Sequence, residues 1–319
     1  MRGGGDEDEG VSGPWTFHLH VVAWVCLGAA LVTYTVGARR LGGTRRQAAR
    51  FGAGLVALGA GTTWPLADLG RRYSFAIQLA DHLLIALVAV PLMLLGLPVS
   101  IVARLTARRW SDTAVRWLGV PLVAGPLSTA VLVAVHLPVV VDAEVISSAV
   151  AAIVTLAVLV AGVVLWLPVI GLVPGVRRLG TAGRIGYLVA VSILPNVPGS
   201  FLTFARSPVY ARLVPGARDL GIDPTLDCQL AGALAKLVAA GVLWAVATVI
   251  FFRALEAEHD ETGAPPLEWA EVERAFQRSD WQLTAEHRRA HRARRRERPR
   301  RSELRRSRGP STGMGPDGP

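Results

Sequence analysis

The sequence predicts an all-α integral membrane protein, a bundle of seven transmembrane helices with the N-terminus outside and the C-terminus cytosolic. Three observations predict it. Hydrophobic residues make up 51% of the 319 residues and mean hydropathy is +0.40, too apolar for a soluble domain of this length. Seven apolar stretches are long enough to cross a hydrocarbon core of roughly 30 Å, which takes about 20 residues of helix. The loops between them alternate between arginine-rich and arginine-poor, as the positive-inside rule requires of a polytopic chain.

The stretches are 15–37, 49–68, 73–97, 117–139, 144–170, 184–205 and 226–253, numbered here as helices 1 to 7. The first loop carries Arg39, Arg40, Arg45, Arg46 and Arg50, the third Arg104, Arg108, Arg109 and Arg116, and the fifth Arg177, Arg178 and Arg184. The N-terminus carries Arg2, the second loop Arg71 and Arg72, the fourth none, and the sixth Arg206, Arg212 and Arg218, a weak exception. Odd loops and the basic tail are therefore expected in the cytosol. The organisation expected from this is an acidic disordered start (1–14), the seven-helix domain (15–253), a cytosolic segment with a short amphipathic helix (254–286, the helix at 267–277), and a disordered arginine-rich tail (287–319). The start lacks the basic-then-apolar pattern of a secretory signal. The formal charge of +10 sits in the cytosolic loops and tail, and Lys236 is the single lysine. The tail's expected partner is anionic lipid, at about 1 kcal/mol per charge near the surface. With no aromatic residues interleaved for stacking, nucleic acid is not expected to bind.

Orientation sorts the embedded polar residues by depth. Helix 1 starts outside, placing His18 and His20 at its outer end; helix 2 ends at Asp68. Helix 3 runs inward, so His82 lies roughly 13 Å down at 1.5 Å per residue, with Asp81 beside it and Gln78 one turn above on the same face. Helix 4 ends outside with His136, Pro138 and the nearby Asp142; helix 7 starts outside with Asp227, Cys228 and Gln229. Ionisable groups in a bilayer are costly and face a bundle interior or a wet cavity, so a shared outer pocket is expected. Helix 6 contains Pro195, Asn196, Pro198 and Gly199, a kink whose freed carbonyls need partners. The two cysteines, Cys26 and Cys228, build no disulfide framework. Lys236 on the seventh helix invites comparison with a retinal Schiff base. However, Phe75 stands where microbial rhodopsins carry an aspartate after the tyrosine, and 150–164 holds no Trp or Tyr. Pairing of Lys236 with Asp81 or Asp227, or a reach along its stem to polar surroundings, is expected instead. No catalytic triad context and no phosphate-binding loop are present, so no enzymatic activity is expected.

Motifs ordered along 31–258 resemble those of the CtaG family of bacterial cytochrome c oxidase assembly proteins. They are Tyr34-x-x-Gly37-x-Arg39-Arg40, the stretch FAIQLADHLLIALVAVPLMLLGLP at 75–98, VHLPVVVD at 135–142, GVVLWLP at 162–168, SPVY at 207–210 and DCQLAG at 227–232. The resemblance implies a multi-pass plasma-membrane protein that assists oxidase biogenesis with oxidase subunits as partners, and copper supply at the outer face. Copper is the implied ligand, with His82, His136 and Cys228 as its candidate donors. Gln78, Asp81, Asp142, Asp227, Gln229 and Lys236 form the surrounding polar set. The chain departs from the family where Gln78 replaces the first of two histidines, where 142–165 lacks histidine, where Cys228 replaces a glutamine, and where Lys236 replaces a tryptophan. Imidazole and thiolate suit copper, but the chain has only three methionines and no Cys-x-x-Cys. A metal-free structural membrane subunit and a small-solute or ion transporter built on the kinked helix 6 are the alternatives.

Overall fold

The computed structural model describes residues 15–17, 19–172, 179–194 and 196–262. His18, Arg177, Arg178, Pro195, the short amphipathic helix expected at 267–277, and both terminal segments expected to be disordered lie outside the described residues. The chain divides into two compact units, Met1–Ala254 and Leu255–Pro319. Of the second, only the end of the last helix is described. No strand occurs among the described residues.

Helix α1 (Val21–Leu41) ends on Gly42, whose φ of 78° supplies the left-handed cap, with Arg39 and Arg40 in the last turn. A reciprocal capping box between Thr44 and Gln47 starts α2 (Arg45–Thr62). After the short α3 (Leu66–Arg72) comes α4 (Phe75–Gly96), opened by Ser74, whose hydroxyl accepts from Ile77 N–H. Its middle, Ile85–Ala89, is a π-helical segment. Then follow α5 (Val99–Leu105), α6 (Arg109–Leu118), α7 (Pro121–Val135) and α8 (Pro138–Ile146). Ser147 caps α9 (Ser148–Ile170), which ends on Gly171 at φ 61°. Helices α10 (Thr181–Ile193) and α11 (Asn196–Thr203) flank the proline-rich break. After α12 (Val214–Asp219), Asp223 accepts from the Thr225 and Leu226 N–H groups and starts α13 (Pro224–Thr262).

Among the described residues five helices are long and apolar enough to cross a membrane: α1, α4, α9, α10 with α11, and α13. A sixth is gained if α6 and α7, bent by 85°, count as one span. The remaining expected span, 49–68, coincides largely with α2, which is diluted by Gly52, Gly54, Gly59 and Gly61 and opens with arginines. The expected span 144–170 is also redrawn. Its first residues belong to α8, and the continuous helix begins only at Ser148. Many large apolar side chains, such as Leu122, Phe201 and Leu237, are exposed on the outside of the bundle, where a lipid-facing surface needs them.

The glycines of α2 let it lie close against α4. A Cβ at Gly54 would sit 2.6 Å from Met93 Cγ and 2.7 Å from the Ala89 carbonyl oxygen. Further along the same contact, Tyr34 stacks on Phe51 with ring centroids 3.9 Å apart and donates to the Gly96 carbonyl at 3.0 Å. Gly54→Val is expected to cost about 1–3 kcal/mol through forced separation of the two helices. Gly52→Ala, where a Cβ meets nothing within 4 Å, should leave stability equal or raised by about 0.5–1 kcal/mol, since alanine is the better helix former. Thermal unfolding of the purified variants in one detergent checks both.

Candidate functional site

Two histidines meet inside the bundle. His82 is on α4, and His136 is the residue that ends α7, where the Leu132 carbonyl has lost its helical partner. His136 Nδ1 lies 2.6 Å from that carbonyl oxygen. A carbonyl only accepts, so Nδ1 carries the proton and the imidazole caps its own helix. Neutral imidazoles are the form that an apolar setting favours, so His136 Nε2 is an acceptor. His82 Nδ1, 2.9 Å away, must therefore donate to it. The chain of donors fixes both tautomers and leaves the lone pair of His82 Nε2 without a hydrogen bond among the described residues.

The pair is held from the side by aromatic residues. Phe75 meets the His136 ring edge-on at 5.9 Å and stacks on Tyr210 at 3.7 Å. Tyr210, from the SPVY segment, donates its hydroxyl to the His136 carbonyl at 2.9 Å. Both histidines line a cavity of about 260 Å³ whose other walls are mostly apolar, from Leu79, Leu83, Leu132, Leu165 and Val191 to Pro198 and Leu243.

The other expected site residues are placed elsewhere. Cys228 does not join the histidines. It packs with Phe75, Leu213 and Ala231, its thiol within hydrogen-bonding reach of the Val209 and Tyr210 backbone. The reason is rotational: equal depth on separate helices does not make side chains face each other. No group of three His, Cys, Asp or Glu side chains is arranged to hold a metal ion among the described residues. Asp227 orients no histidine. It caps α4, accepting from Ser74 Oγ at 2.5 Å, Phe75 N–H at 2.7 Å and Ala76 N–H at 3.2 Å. Gln229 donates to the Ala205 carbonyl at 3.0 Å. Lys236 pairs with neither Asp81 nor Asp227; its Nζ lies 5.4 Å from the centroid of the Phe204 ring, so the cation is held by a ring face. Asp142, on α8, keeps a buried Oδ1 that accepts no hydrogen bond among the described residues. His20 reaches Asp68, Nε2 to Oδ2 at 3.1 Å.

Sequence reasoning missed Glu144, also on α8 and buried. It accepts from Gln78 Nε2 at 3.1 Å, and its backbone carbonyl accepts from Arg71 Nε at 2.9 Å. A second acid, two residues after Asp142 in the apolar run VVVDAEVI, was the available signal.

A mostly apolar helical bundle with a hydrogen-bonded histidine pair on an apolar cavity defines a class: an all-helical multi-pass membrane protein with a polar site among its helices. The model of the family described as cytochrome c oxidase caa3 assembly factor (Caa3_CtaG) matches residues 30–257. The chain belongs to that family. No curated protein matches it, and no solved structure does.

Proposed function

We propose that this protein assists cytochrome c oxidase assembly from within the bacterial plasma membrane, as a non-enzymatic scaffold for oxidase subunits. The reading spans the membrane seven times, with the N-terminus outside and the basic C-terminal segment against anionic lipid in the cytosol. The family match carries the assembly role. The alternating arginine loops support the orientation, which turns the histidine pair and its cavity toward the outer leaflet.

A resident copper centre does not fit the residues present. Three of the four imidazole nitrogens of the pair are committed to each other and to the Leu132 carbonyl. The Cys228 thiol is packed in a different cluster. A second reading, copper as cargo handed to the oxidase at the outer face, keeps one supporting observation: His82 Nε2 is an imidazole donor with its lone pair uncommitted on the cavity wall.

One experiment separates these readings. The gene is deleted, and oxidase subunit assembly and oxidase copper content are measured after complementation with wild type, His82→Ala or His136→Ala. Under the scaffold reading the deletion lowers assembled oxidase, and His82→Ala restores fully metallated enzyme to wild-type level. Under the cargo reading His82→Ala yields assembled but copper-poor oxidase, rescued by copper in the medium. Normal, copper-replete oxidase in the deletion strain would remove both readings.

A further inference from the structure

Beside the histidine pair lies a second buried polar group that the family reading does not use. Gln78 and Asp81 on α4 and Glu144 on α8 are 4%, 8% and 4% exposed. Gln78 Nε2 donates to Glu144 Oε2, fixing the amide against the carboxylate. Three oxygens are then left over. Gln78 Oε1, Glu144 Oε1 and Asp81 Oδ1 are fully buried and accept no hydrogen bond among the described residues. Buried polar atoms are almost always satisfied, and each exception asks for a cause such as a bound ion.

The leftover atoms share one chemistry. With the carboxyls ionised all are hard oxygen acceptors, which cannot satisfy one another without a cation or a proton among them. Asp81 and Glu144 lie within electrostatic reach of each other. Arg71 is the cation in reach of Glu144, yet its Nε donates to the Glu144 backbone carbonyl, and it also feels Asp68 and Arg72. Asp68 in turn is bound by His20. Asp142 is about 200° around α8 from Glu144, two residues earlier, and takes no part. Arg71 acts on Glu144 but is not among the charges that act on Asp81, so with both carboxyls ionised about one negative charge is left to be neutralised, in surroundings where an uncompensated charge is costly.

We propose that Gln78, Asp81 and Glu144 form a binding site for a hard monovalent metal cation of the sodium class, which ties α8 to α4. Oxygen donors select hard cations, and the soft ion that suits imidazole would choose the histidine pair instead. Calcium takes six to eight oxygen ligands and magnesium a near-ideal octahedron; either would also overshoot the single charge. The site has a structural consequence for its neighbour. Leu137 and Pro138, the entry to α8, line the cavity beside His136, so the ion holds the segment that walls that cavity.

The test uses the purified full-length protein in lipid nanodiscs, with no oxidase present, so it stands apart from the assembly role. Radiolabelled sodium is titrated at fixed pH and constant ionic strength, with choline as the replacing cation. Wild type is expected to bind one sodium saturably and to unfold at a higher temperature in sodium than in choline. Asp81→Asn and Glu144→Gln are each expected to weaken binding at least about tenfold, since ligand charge sets affinity for hard cations. Gly52→Ala should bind as wild type does. If the two carboxylate variants do not fold, the sodium-against-choline comparison on wild type decides. Folded wild type that binds no sodium, or binds it equally well without either carboxylate, overturns the proposal. So does a stability that follows pH and ignores sodium, because a shared proton would then do the neutralising.

Discussion

Asp227→Ala should lower the stability of the folded bundle by roughly 3–5 kcal/mol, the cost typical of removing one partner from a buried charged hydrogen-bonding group. The carboxylate is 3% exposed and sits on α13, far along the chain from the groups it serves. It accepts the Ser74 hydroxyl and the Phe75 and Ala76 N–H groups, all at the N-terminus of α4. Those amides belong to the first turn, whose N–H groups have no partner within the helix, and a negative charge there also complements the helix dipole. Alanine would strand two buried backbone donors and a hydroxyl at once. Asp227→Asn keeps the shape and one acceptor oxygen but loses the charge, so an intermediate loss of about 1–3 kcal/mol is expected. Reversible unfolding in mixed micelles, with helicity followed against denaturant, ranks the two variants. An alanine variant as stable as wild type would mean that water replaces the cap, and that this end of α4 is wetter than its burial implies.

Trp166→Ala is the other large effect, with an expected cost of about 3–5 kcal/mol, the range for truncating a buried aromatic. Trp166 is 2% exposed and donates Nε1–H to the Ala86 carbonyl at 2.9 Å. Ala86 lies in the π-helical segment Ile85–Ala89, where the hydrogen-bond ladder shifts by one residue and disturbs the regular pairing of carbonyls. One turn earlier on α9, Gly162 faces the same residue; a Cβ there would lie 3.1 Å from Ala86 Cα. Glycine and tryptophan four residues apart thus form one device. The first lets the helices close, and the second supplies the donor that the irregular segment requires. Trp166→Phe keeps most of the apolar contact and removes the donor, so a smaller loss of about 1–3 kcal/mol is expected. Thermal unfolding of both variants tests the split, and equal losses would show that the hydrogen bond contributes nothing beyond packing.

The same pair shows what was legible in the sequence. GVVLWLP stood out as a motif shared with a family, while its reason, the π segment opposite, was not readable, because a shift of the ladder leaves no mark in apolar residues such as Ile85 and Leu87. The helices themselves were legible, since long apolar runs have no other solution in a bilayer. Their number was less so. Glycine-rich α2 and the broken α6–α7 pair depart from the uniform span that a window of apolar residues implies. The relative level of residues on different helices was readable as well, because helix rise converts residue number into ångströms, and His82 and His136 do come together. Rotation was not. Which way Cys228, Asp227 or Lys236 faces depends on how helices distant in sequence pack, so the thiol and the lysine were assigned neighbours that they do not have. Glu144 escaped notice for a related reason: it stood as the first residue of the expected span 144–170, whereas it belongs to the separate helix α8 and turns inward.

The bend between α6 and α7 carries a mechanical consequence. With α7 upright in the bilayer, an 85° turn lays α6 nearly flat. Trp110 and Trp117, 69% and 59% exposed, then rest beside Arg109 and Arg116 at the headgroup level, where indole and guanidinium groups settle most readily. Such an outrigger resists sliding along the membrane normal when acyl chains lengthen or shorten. The protein leans or deforms the surrounding lipid instead, so its tilt follows bilayer thickness.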